Sequence, residues 1–134
     1  MPKLYHEYWA IVRSYSRPIE GVEWIEALSP STLLFHKYLE LRNSGKWNEE
    51  SFSKFYVPQF LTDLKSNLYA KQCLNYLAEH SEMGERICLM CYCPDETLCH
   101  RSIIAGLLSG AGATISTDTG KDYSHYYKLY KEMG

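Results

Sequence analysis

Residues Cys91 to Arg101, CYCPDETLCHR, bring three thiols, an imidazole, a guanidinium and two carboxylates into eleven positions. Several chemistries are open to this segment. Cys99 is a candidate nucleophile, because a helix N-terminus and a neighbouring guanidinium both favour thiolate over thiol. His100 would then act as acid or base, with Asp95 or Glu96 as a further proton carrier. Arg101, in the first turn of a helix, suits a phosphate or carboxylate ligand. Its structural alternative is an ion pair with Asp95 or Glu96.

A metal is a third option. Cys91 and Cys93 lie two apart on an extended segment and so share a face. Cys99 and His100 complete C-x-C-x5-C-H, four soft or borderline ligands of the number that tetrahedral zinc takes. The spacing is not that of the two C-x2-C pairs of zinc ribbons. Nor is it that of a cysteine phosphatase loop, since seven residues rather than five separate Cys93 from Arg101. Cys88 falls on the opposite strand face from Cys91, and Cys73 lies mid-helix; both are expected in the core. His36, His80, His125 and His6 carry no comparable signal.

The segment lies between an apolar run, Ile87 to Met90, and a helical apolar pattern at Ile103, Ile104, Leu107 and Leu108. That reads as strand, turn and helix, with the helix running from about Thr97 to Ser109 and capped by Asp95 or Thr97. A second buried strand is expected at Tyr8–Val12, ending in Arg13-Ser14-Tyr15-Ser16-Arg17. If the two strands are parallel neighbours, their carboxyl ends converge, and Arg13, Ser14, Tyr15 and Arg17 join Arg101 in one anion-binding pocket. Between them the sequence predicts a loop at Pro18–Gly21 and a short helix over 23–28. Further helices are expected after Ser31, after Asn48 with a kink at Pro58, and over 67–80. A short third strand at 113–116 precedes a last helix from about Asp122, with a Tyr123, Tyr126, Tyr127, Tyr130 packing stripe. The fold class is α/β: a small, mostly parallel sheet of about three to four strands flanked by helices, Rossmann-like, in one domain over 1–134.

Composition narrows the function classes. The net charge of −2 argues against non-specific binding to duplex DNA, which needs excess Lys and Arg. A local basic site for a nucleotide or nucleic-acid end is compatible with it. No apolar run is long enough to span a bilayer, and MPKLYHEYW does not have the form of a signal peptide. The five cysteines, odd in number and clustered late, suit reduced thiols in a cytoplasmic protein with no membrane partner.

Three blocks resemble the family known as domain of unknown function 488: VRSYSRP at Val12–Pro18, WIEALSPS at Trp24–Ser31 with KWNEESFSKFY at Lys46–Tyr56, and LMCYCPDETLCHR at Leu89–Arg101. The resemblance runs from about Tyr8 to Leu108. It implies a compact α/β fold with a site at Cys91, Cys99, His100 and Arg101, and no established reaction. The chain departs from the family pattern at Ile11 or Val12, where an Asp is common, and at Cys93, where a Glu is common.

Two functions follow. In one, the protein binds a phosphorylated or carboxylate ligand at the strand carboxyl ends and acts as an enzyme through Cys99 and His100. In the other, it is a non-catalytic module whose Cys, His and Arg form a polar network or a zinc site. An enzyme site would leave Cys99, His100 and Arg101 lining an open pocket; a structural cluster would bury them with their donors paired.

Overall fold

The computed structural model describes residues 5–133; the first residues of the N-terminal segment lie outside it. The sheet has three parallel strands, β1 (Glu7–Ala10), β2 (Val22–Trp24) and β3 (Ile87–Met90), in the order β2-β1-β3. β1 and β3 are neighbours, with Trp9 opposite Leu89 and Ala10 opposite Met90. The ladder continues past the strands through Ile11 N to Met90 O at 2.9 Å.

The third strand is not where the sequence pattern places it. Residues 113–116 form no strand, although Ala113 and Ile115 pack against the core. The free edge of β1 is taken instead by Val22–Trp24, inside the segment expected to be loop and short helix. Three residues are too few to display a two-residue period. A strand also needs an available edge, and the Gly21 turn (φ 82°) delivers Val22 to one. The expected helix over 23–28 shrinks to a 3-10 turn, Glu26–Leu28.

The first two helices begin where their caps predict, whereas the last two start at His100 rather than near Thr97 and at His125 rather than near Asp122. Ser31 accepts from Leu34 N at the start of α1 (Thr32–Asn43). Asn48 and Ser51 form a reciprocal cap on α2 (Glu49–Ser51). α2 runs through a π-helical turn (Phe52–Tyr56) into α3 (Val57–Ser66). Pro58 sits just beyond that turn. Its missing N–H breaks the regular ladder, and the wide turn absorbs the break without ending the helix. α4 (Leu68–Glu82), capped by Asn67, leads to β3. α5 (His100–Gly110) follows a 3-10 turn at Glu96–Leu98, and α6 (His125–Glu132) closes the described chain.

The core joins Trp9 and Ile11 of the β1 segment to Phe60, Leu61 and Leu64 of α3, Leu77 of α4, and Ile103, Ile104 and Leu107 of α5. α5 is apolar on nearly every side, so it is the central helix. The tyrosine stripe packs as expected, with Tyr123 and Tyr126 buried against it. No helix among the described residues is long and apolar enough to cross a membrane.

Candidate metal centre

β1 and β3 bring their carboxyl ends together at the position where the strand order reverses, the usual ligand crevice of open parallel sheets. Ile11 stands at the end of β1 and Cys91 directly after β3. α5 starts over the same edge. Its N-cap is Cys99, in extended conformation (φ −122°, ψ 146°), so the helix begins one residue later than the preceding 3-10 turn suggests. This break matters chemically. Inside a continuous helix, Cys99 and His100 would diverge by about 100°. With Cys99 extended, its Sγ lies 3.7 Å from His100 Nδ1.

Four ligand atoms converge. Cys91 Sγ is 3.4 Å from both Cys93 Sγ and Cys99 Sγ, and 3.9 Å from both ring nitrogens of His100, whereas Cys99 Sγ approaches Nδ1. All of the set Cys91, Cys93, Cys99 and His100 fall within 4.8 Å of one another. Tetrahedral zinc with sulfur at about 2.3 Å places sulfurs roughly 3.8 Å apart. The cluster therefore has the size of a zinc tetrahedron. His100 Nε2 lies 2.5 Å from the Ile11 carbonyl oxygen. It donates there, and Nδ1 lies beside the sulfurs, carrying a proton that a metal ion would have to displace. A backbone carbonyl fixing one ring nitrogen while the other faces a metal is the usual arrangement around ligating histidines.

The electrostatics link Cys91, Cys93 and His100. Hydrogen bonds from Cys93 and Cys99 lower the pKa of Cys91, outweighing burial. The hydrogen bond to Cys91 and the adjoining sulfurs raise that of Cys93. Burial opposes charge on His100, but Cys91 and Cys99 outweigh it and push the imidazole up to about 10. The centre is thus an anionic sulfur flanked by proton-bearing neighbours, whose protons a metal ion would displace. Tyr56, buried beside the cluster, has its hydroxyl pKa raised by burial first and by the three sulfurs next. Phe60 meets the His100 ring edge-on, centroids 5.6 Å apart.

Arg101 is turned toward the cluster rather than toward a ligand. It donates to the Cys93 carbonyl at 3.3 Å and approaches Asp118 at 3.7 Å; neither Asp95 nor Glu96 is its partner. Burial disfavours its charge, yet Cys99 first, then Cys91 and Cys93, raise its pKa. Its buried Nε meets no partner in hydrogen-bond geometry. Its relation to Cys99 is therefore charge proximity rather than an aligned bond.

The remaining sequence candidates are dispersed. Asp95 caps the 3-10 turn through Thr97 and is exposed. Glu96 is buried and accepts from Thr119 Oγ1 at 2.6 Å, Tyr123 OH at 2.7 Å and Asp118 N at 2.8 Å, tying down the loop before α6. Arg13 pairs with Glu26 at 2.6 Å and lines a different cavity. Ser14 and Arg17 are exposed, and Tyr15 OH accepts from Ile19 N. Cys73 is buried and Cys88 half-buried; burial is the first cause raising both thiols. Sequence reasoning did not identify Ile11 as the anchor of His100, because a backbone acceptor leaves no trace in residue type.

Comparison with curated proteins and with solved structures finds no match. Residues 2–112 match the family model DUF488-N3a, described as the active DUF488-N3 subclade. That span includes the whole Cys-His-Arg segment and both strands that position it, and the chain accordingly belongs to the domain of unknown function 488 family.

Proposed function

We propose that the protein is a metal-thiolate domain that holds a zinc ion through Cys91, Cys93, Cys99 and His100. The observation that carries this reading is the orientation of His100. Its Nε2 is committed to the Ile11 carbonyl, so Nδ1 is available beside three clustered sulfurs. Three thiolates and one dication leave a net negative centre, and Arg101 supplies the compensating charge at close range. Four protein ligands close a zinc shell, the arrangement of structural rather than catalytic sites. Its role is to pin β1, β3 and α5 to one another at the sheet edge. Reduced thiolates suit a reducing cytoplasm.

The anion-binding enzyme reading rests on one favourable feature, Arg101 in the first turn of α5. It has less support, because Cys99 and His100 are 1% and 3% exposed. A small anion or an alkylating substrate would have to displace packed groups to reach them.

Cobalt substitution tests the metal reading. Stoichiometric Co2+ should give the visible bands of a tetrahedral ion together with near-ultraviolet thiolate charge transfer. His100→Gln should weaken the site and alter the visible bands while keeping the thiolate transitions. Octahedral spectra, or thiolate bands unaffected by Cys91→Ser, would contradict it.

A further inference from the structure

A second opening at the carboxyl edge of the sheet has no role in the metal reading. It is a cavity of about 370 Å3 on the β2 side of β1. Small-molecule sites span roughly 300–1,000 Å3 and favour this edge of α/β folds. Its walls carry Arg13, Trp24, Glu26, Phe60, Asp63 and Tyr69. Only Phe60 is shared with the surroundings of the metal cluster.

Three observations specify a ligand. First, Trp24 and Tyr69 present aromatic surface to solvent, 44% and 57% exposed. The Trp24 ring is held in place by its Nε1–H bond to the Val12 carbonyl at 2.8 Å. Second, the only guanidinium in the wall is already neutralised, because Arg13 pairs with Glu26 at 2.6 Å. No free positive charge remains there for a phosphate. Third, Asp63 has an orphaned oxygen. Gln59 Nε2 donates to its Oδ1 at 2.9 Å, while its Oδ2 is buried with no hydrogen-bond partner. A buried acceptor without a donor is uncommon and calls for a missing partner.

We propose that this cavity binds a flat heterocycle bearing an exocyclic amine, of the adenine or cytosine kind. The ring packs against Trp24 and Tyr69, and the amine donates to Asp63. A carboxylate accepting from an amino-bearing base edge is an established mode of base recognition, and stacking on aromatic side chains supplies the remaining contact. The site does not depend on the metal reading, since its walls contain none of the four proposed ligands.

The test titrates the full chain with adenosine, cytidine and uridine, following tryptophan fluorescence in parallel with a Trp24→Phe variant. Adenosine or cytidine should quench saturably, and the response should vanish in Trp24→Phe. Uridine, which lacks the exocyclic amine, should bind at least tenfold more weakly. Asp63→Asn should weaken binding of the amino-bearing nucleoside at least tenfold while the melting temperature stays the same or rises. Tyr69→Ala, at an exposed position, should weaken it without affecting folding. The proposal is overturned if neither amino-bearing nucleoside quenches at millimolar concentration, if uridine binds equally well, or if Asp63→Asn and Tyr69→Ala leave affinity unchanged.

Discussion

His100 is the residue on which the site turns. It is the first residue of α5, it reaches the end of β1 through Ile11, and it faces the sulfurs that follow β3. Reactivity of the thiols reports this arrangement. In the zinc-loaded protein, Cys91, Cys93 and Cys99 should resist iodoacetamide together. After chelation, Cys91 should be alkylated ahead of Cys73 and Cys88 near neutral pH, because its pKa is lowered while burial raises theirs. Peptide mapping of the alkylated protein checks the order. Glu96 offers a separate test. Burial alone would raise its pKa, but Thr119, Tyr123 and the Asp118 N–H outweigh burial and lower it. Its stabilisation is therefore present above the unfolded carboxylate value of about 4.3 and is lost as pH falls through the lower folded value. Glu96→Gln should cost about 1.5–3 kcal/mol at pH 7. The gap to the parent should close as the solution is acidified below about pH 4, as read by urea denaturation across pH. The convergence of Cys91, Cys93, Cys99 and His100 was legible in the sequence, since C-x-C-x5-C-H groups four candidate ligands. Their protonation was not, because it depends on sulfur–sulfur distances set by the turn at Cys99.

At the scale of elements, α5 carries the most constraint. Gly106 lies against the backbone of Tyr123, and a Cβ built there would collide with the Tyr123 carbonyl. Gly110 meets the Tyr127 side chain in the same way. The obstacle at Gly106 is backbone, so it cannot yield by a rotamer change. Gly106→Ala should therefore destabilise by about 1–3 kcal/mol or more despite the helix propensity it gains, which thermal or urea melts will show. Gly110→Ala meets the Tyr127 Cβ, which is fixed to its backbone and cannot rotate away either, so it should cost a similar amount. The caps at Ser31 and Asn48 made the starts of α1 and α2 readable in advance. β2 was hidden because its existence depends on the vacant edge of β1, a tertiary circumstance. Residues 113–116 have strand-like composition, yet β1 already has neighbours on both sides and residues 113–116 do not extend the sheet. The break between the 3-10 turn and α5 was hidden too, since no glycine or proline marks Cys99.

For the molecule as a whole, the metal reading makes stability depend on zinc. The ion would join β1, β3 and α5 at one end of a sheet that has only three strands. Ligand linkage adds about 4.1 kcal/mol when free ligand is a thousandfold above Kd. A chelator strong enough to strip the ion should then lower the melting temperature by on the order of 10 °C for a domain of this size. The fold should survive, because the buried core of Trp9, Phe60, Ile103 and Leu107 is built without any of the four proposed ligands. Binding should also release protons and weaken on acidification, as thiolate coordination requires deprotonated sulfur. The most direct measurement is metal content of the purified full chain by native mass spectrometry, before and after chelation, with Cys99→Ala alongside. The account predicts one zinc ion per chain, released by chelator with a lower melting temperature and absent from the variant. A chain that takes up no zinc from buffered solution while its thiols are reduced, or binds it equally well in Cys99→Ala, would contradict the account.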